Sequence, residues 1–118
     1  MPKRILIAED DEMSREMLTT FALSHGYEIV AVVDGIELLT TSVESKFDLV
    51  ITDLMMGSLN GASATEILKM QGSTIPVIAI TAASPDETLL IKDKFARIYH
   101  KPCNYSDLFE YVESLIGK

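Results

Sequence analysis

Between Asp48 and Asp53 the chain runs Leu49-Val50-Ile51-Thr52. An apolar run without alternation reads as a strand buried on both faces, which is the mark of a parallel sheet held between layers of helices. In open sheets of that kind ligands bind in the crevice beyond the carboxyl ends of the strands, so Asp53, where the chain leaves the core, stands where chemistry is done. One aspartate after a strand is often no more than a turn cap. Its meaning depends on which side chains arrive beside it.

The flanking sequence alternates. Ile5-Leu6-Ile7-Ala8 is a short apolar strand running into the acidic cluster Glu9-Asp10-Asp11-Glu12. From residue 13 to 25, Met13, Met17, Leu18 and Phe21 fall at helical spacing, and Gly26 is a natural stop. Residues 29–33 are β-branched and strand-like; Asp34-Gly35 turns them into a helix carrying Ile36, Leu39 and Val43. After the strand ending at Asp53, a loop over residues 54–60 leads to a helix with Ala64, Ile67 and Leu68 on one face. Residues 75–80 are the next buried strand, ending at Thr81, and Ser84-Pro85-Asp86-Glu87 is a strong helix start, with a serine cap, Pro at the first position and Glu three residues past the cap. Residues 97–100 make a more polar strand, expected at a sheet edge, which ends at Lys101-Pro102. Leu108, Tyr111, Val112 and Leu115 place a closing amphipathic helix with Asn104 as its cap.

Five strands alternating with five helices, joined by right-handed crossovers, predict one α/β domain over residues 1–118: a doubly wound parallel sheet in the order 2-1-3-4-5. A net charge of −8 with scattered Lys and Arg argues against direct nucleic-acid binding and suits a cation ligand or a basic partner surface. The single cysteine, Cys103, excludes an intrachain disulfide, and no apolar run approaches bilayer-spanning length, so no membrane association and a cytoplasmic location are expected.

The predicted strand order brings Glu9, Asp10, Asp53 and Thr81 to one end of the sheet, with Lys101 arriving from the fifth strand. Three converging carboxylates repel by ~4 kcal/mol per close pair at an effective dielectric of about 20. An oxygen-only cluster suits a hard cation, and Mg²⁺ takes one or two carboxylates together with waters and a phosphate oxygen. Three carboxylates, one Mg²⁺ and one lysine sum to zero charge. A phosphoryl group on Asp53 would add a metal ligand, a partner for Lys101 and an acceptor for the Thr81 hydroxyl.

This constellation resembles the receiver domain of two-component response regulators, along the whole chain. Residues 5–12 are similar to the family's first strand and acid pair, with Glu9 and Asp10 at the pair positions; Asp53 matches the phosphoacceptor. The resemblance implies a flavodoxin-like fold and Mg²⁺ held by Glu9, Asp10, Asp53 and the Met55 backbone carbonyl. It also implies switch residues at Thr81, Ala82, Ile98 and Tyr99, a cis peptide at Lys101-Pro102, and phosphoryl transfer from a histidine kinase or phosphotransfer domain. A downstream protein partner would then be read on the face of the last two helices and last strand. Two departures concern the loop and the last strand. The family's Met-Pro-x-Met-Asp-Gly reads Met56-Gly57-Ser58-Leu59-Asn60-Gly61 here, and Ile98 stands where an aromatic residue is usual.

Other prominent residues read as structural. Asp11 and Glu12 suit the first turn of a helix; Met13, Met17, Met55 and Met56 read as core or loop filler; His25 as a last-turn residue, His100 as a strand surface residue and Cys103 as an inert small side chain. Two other classes stay open at this stage: a phosphorylation-independent binding module, and a metal-dependent phosphohydrolase. The second needs an acid two residues after the nucleophile, where this chain has Met55, so no turnover of external substrate is expected.

Overall fold

Alternate residues of each strand serve opposite layers, which is why the strands could be apolar throughout. Leu6, Ala8, Val50, Val77 and Ala79 face one core, and Ile5, Ile7, Leu49, Ile51, Ile78 and Ile80 face the other. The structure, a computed structural model, describes residues 1–57 and 59–118. Its strands are β1 (Arg4–Ala8), β2 (Glu28–Val32), β3 (Leu49–Asp53), β4 (Val77–Thr81) and β5 (Arg97–His100). All pair in parallel, in the order β2-β1-β3-β4-β5. β3 and β4 are buried at every position, whereas β5 lies at the edge, as its polarity predicts.

Helices α1 (Glu12–Ser24) and α5 (Tyr105–Ile116) supply Leu18, Ala22, Leu108, Phe109 and Val112 to one layer. Helices α2 (Gly35–Glu44) and α3 (Gly61–Met70) supply Leu38, Ala64 and Leu68 to the other. Side-chain caps start them. Asp11, Asp34, Asn60 and Asn104 each accept from the backbone N–H three residues on, satisfying donors that the first turn leaves open. Where α2 begins, a Cβ on Gly35 would lie 2.4 Å from the Leu59 carbonyl oxygen, which the Gly35 N–H meets at 3.0 Å, so only glycine allows that approach.

Several expected helix faces are displaced. Met13 and Met17 lie exposed on α1, and the inward stripe is Leu18 and Ala22 with Phe21 alongside. On α2, Ile36 and Val43 point to solvent while Leu38 is fully buried. On α5, Leu115 is exposed at the rim and Phe109 takes the central place, stacked on Phe21 and His25 with centroids 6.4 and 5.5 Å away. Met55 is exposed too; Met56 alone of the four methionines read as filler is buried.

The Ser84 capping box forms as predicted, but the helix it starts, α4 (Pro85–Thr88), is a single turn. The chain then tightens. Ile91 N–H donates to Thr88, Lys94 to Ile91 and Phe95 to Lys92, three i→i−3 bonds that set Phe95 into the core and deliver the Ala96 N–H to Val77.

Phe109 ties α5 to α1, so Phe109→Ala should cost about 3–5 kcal/mol, the usual range for emptying a buried aromatic site. Urea denaturation will show a lower midpoint at unchanged slope.

Candidate functional site

Four side chains meet beyond the carboxyl ends of β1, β3 and β5. Glu9 and Asp10 follow β1, Asp53 closes β3 and Lys101 follows β5. Carboxylate oxygens of Glu9, Asp10 and Asp53 lie within 4.8 Å of one another. Glu9 is 1% exposed and Asp53 6%, while Asp10 is open to solvent. The Lys101 ammonium crosses the end of β4 to bridge both buried acids, 2.9 Å from Glu9 Oε1 and 2.8 Å from Asp53 Oδ2. The second Asp53 oxygen, Oδ1, accepts the Met55 N–H at 2.8 Å.

Charge in so little water shifts proton affinity. Burial, reinforced by the charge of Asp53, raises the Glu9 pKa from 4.5 to about 7, against the pull of the Lys101 hydrogen bond. Burial would lower the Lys101 pKa, but its hydrogen bonds to Asp53 and Glu9 more than reverse that, so the ammonium stays charged. The donor set is all oxygen, with no histidine or cysteine in the cluster. Such a set, half exposed through Asp10, fits a small hard cation that keeps part of its water.

The expected site residues are therefore together, with differences in the outer ones. Thr81 is fully buried, and its Oγ1 accepts the Ala83 N–H at 3.0 Å. Lys101-Pro102 is a cis peptide. Ile98 packs on the layer of α2 and α3, and Tyr99 on the layer of α1 and α5, so the two expected switch residues occupy opposite faces of the sheet, as strand alternation demands. Tyr99 lies 6.4 Å from Tyr111, with the Arg97 guanidinium over both rings. Asp11 caps α1 and lies outside the acid cluster. Ser58, part of the altered loop, lies outside the described residues.

Sequence reasoning missed four supports. Arg15 Nη1 donates to the Glu9 carbonyl at 2.9 Å, fixing the acid pair from α1. Thr52 Oγ1 donates to the Asp53 carbonyl at 2.9 Å, a role signalled only by a hydroxyl in an otherwise apolar strand. A Cβ on Gly61 would lie 2.1 Å from that same carbonyl oxygen, so Gly61 lets α3 abut the Asp53 backbone. His100, expected as a surface residue, is half-buried and bonded through Nδ1 to the Ala83 carbonyl at 2.8 Å.

An open parallel sheet with an all-oxygen acid cluster and a bridging lysine at its carboxyl end places the chain among the doubly wound α/β domains. The family model of the response regulator receiver domain matches residues 5–113, and the chain belongs to that family. It is 29% identical over 121 residues to the polar-differentiation response regulator DivK of Brucella anthropi, covering 99% of this chain and 98% of the relative. It is 30% identical over 107 residues to the transcription factor SKN7 of Candida albicans, covering 89% of this chain but only 19% of that much longer protein. The response regulator TrrA of Thermotoga maritima, solved in complex with Mg²⁺-BeF, superposes with a TM-score of 0.87 at 29% identity, over 96% of this chain and 98% of that one. The protein is a receiver domain of two-component signalling.

The raised Glu9 pKa gives metal-free stability a definite sign. The folded state holds the Glu9 proton more tightly than the unfolded state, so this site costs nothing below about pH 4.5, costs progressively more from there to about pH 7, and its full amount above. Glu9→Gln should therefore melt higher than the parent in chelator at pH 8, by a few degrees, and show little gain at pH 4. Thermal melts across that range will read the difference.

Proposed function

We propose that the chain is a phosphoacceptor: Asp53 takes a phosphoryl group from a phosphohistidine of a histidine kinase or phosphotransfer domain. The observation that carries this reading is Lys101 bridging Glu9 and Asp53 with Asp10 alongside. In the transfer an Asp53 carboxylate oxygen forms a bond to phosphorus as the bond from phosphorus to the donor imidazole nitrogen breaks. The electron pair leaves with the imidazole. Asp53 is held for an in-line approach by the Met55 N–H on one oxygen and Lys101 on the other. Lys101, permanently charged, passes from carboxylate to phosphoryl oxygens, and the Thr81 hydroxyl supplies a further donor. Glu9, Asp10, Asp53 and the Met55 carbonyl would hold Mg²⁺, which when bound offsets the charge that builds on the phosphoryl oxygens.

On this reading residues 1–118 form one receiver unit acting in the cytoplasm. The output face comprises α4, β5 and α5, where Leu89, Phe95 and Ile98 line a groove of about 560 Å³. Phosphorylation alters that face and with it the affinity for a downstream protein.

Incubation with a small acyl phosphate and Mg²⁺ should add one acid-labile phosphoryl group by intact mass. Chelator or Asp53→Asn should abolish it. Labelling of Asp53→Asn at the parent's level would overturn the assignment. Mg²⁺ titration should lose about ten-fold or more in affinity with Asp10→Ala and little with Asp11→Ala, since Asp11 caps α1; equal losses would mean that the wrong pair had been chosen.

A further inference from the structure

We propose that His100 is a positioning residue that latches the loop following Thr81 in its unphosphorylated arrangement, so that the protein gives up this hydrogen bond on activation. The proposal rests on the phosphoacceptor reading of Asp53.

The end of β4 and the loop after it are tied at three points. Lys101 N–H donates to the Thr81 carbonyl at 2.7 Å, Ala83 N–H donates to Thr81 Oγ1 at 3.0 Å, and His100 Nδ1 meets the Ala83 carbonyl at 2.8 Å. A carbonyl only accepts, so His100 must carry its proton on Nδ1. Two of the ties come from adjacent residues at the end of β5. Lys101 also grips Asp53 and Glu9, while His100 grips the loop. When an Asp53 phosphoryl group draws the Thr81 hydroxyl inward, Ala83 moves with Thr81, because its N–H is bonded to that same oxygen. The His100 bond then lengthens or breaks.

His100 also lines the groove shared by Leu89, Phe95 and Ile98, so release of its ring changes the wall of the output face directly. Ile98, β-branched and stiff about its first torsion, changes that wall less through a rotamer of its own than an aromatic ring would. A bond present in one state only biases the equilibrium toward that state by its net worth.

Two measurements test the latch. In the parent, ¹⁵N–¹H spectra of the imidazole should show the Nδ1–H tautomer of His100 in the free protein and its loss or exchange when Mg²⁺ and beryllofluoride are added. Removing the donor with His100→Leu should tighten the apparent beryllofluoride affinity about five-fold and leave Mg²⁺ affinity unchanged. His100→Asn, which keeps a donor at the same reach, should return toward the parent. The proposal is overturned by an unchanged tautomer in the parent, or by Leu and Asn variants that behave alike. A parent that takes up neither beryllofluoride nor phosphoryl would instead refute the phosphoacceptor reading, and the latch with it.

Discussion

The end of the sheet is organised by one cation. Glu9 and Asp53 are almost wholly removed from water, and moving a carboxylate into such surroundings without a partner costs several kcal/mol. Lys101 answers both at once. Because β5 is the outermost strand and β4 lies between it and β3, the lysine stem has to cross the end of β4, and that strand ends at Thr81 and is followed by Ala82-Ala83, side chains small enough to leave the way clear. The order of the strands, the small residues after β4 and the reach of a four-carbon stem are thus one requirement. An arginine fork or a bulky residue at position 82 would compete for the same corridor.

The same bridge explains why an acidic site can exist before any cation binds. Lys101 bonds both buried acids and offsets one of their two charges, burial holds a proton on Glu9 up to about pH 7, and Asp10, the third, stays in solvent, where its charge is screened. A hard cation, on the proposed reading, would meet one solvent-exposed carboxylate and two already held in place by Lys101. The Arg15 and Thr52 bonds to backbone carbonyls add rigidity without adding charge inside the cluster, which is the kind of outer support that keeps ligands aimed.

How much of this could be read from sequence divides along physical lines. The strands, their order, the caps at Ser84 and Asn104 and the residues at the strand ends were legible, because burial on both faces leaves continuous apolar runs and capping requires particular side chains. Helix faces were less so. Ile36, Val43, Leu115 and the α1 methionines are apolar yet exposed, since periodicity over three turns tolerates more than one inward stripe, and the choice between them is made by packing against the sheet. The shortness of α4 was hidden for another reason. Residues 89–95 contain no glycine or proline, and the helix ends because Phe95 must reach the core and Ala96 must meet Val77. Propensity is a weak signal against that demand.

The altered loop after Asp53 shows how a departure in sequence can preserve a fold while changing electrostatics. Asn60 occupies a position where the family usually carries an aspartate, and in this protein it caps α3, accepting the Ser63 N–H at 2.8 Å. Asparagine and aspartate cap about equally well, so α3 begins in the same place and Gly61 can still abut the Asp53 carbonyl. What changes is charge: one anion fewer stands near a site that, on the phosphoacceptor reading, would receive a phosphoryl group bearing about two negative charges. With Lys101 already committed to the carboxylates, and a cation able to offset only two charges, removing that anion lowers the repulsion an incoming phosphoryl group meets. On the phosphoacceptor reading the substitution would therefore favour acceptance of the group at little cost to the helix that supports the site.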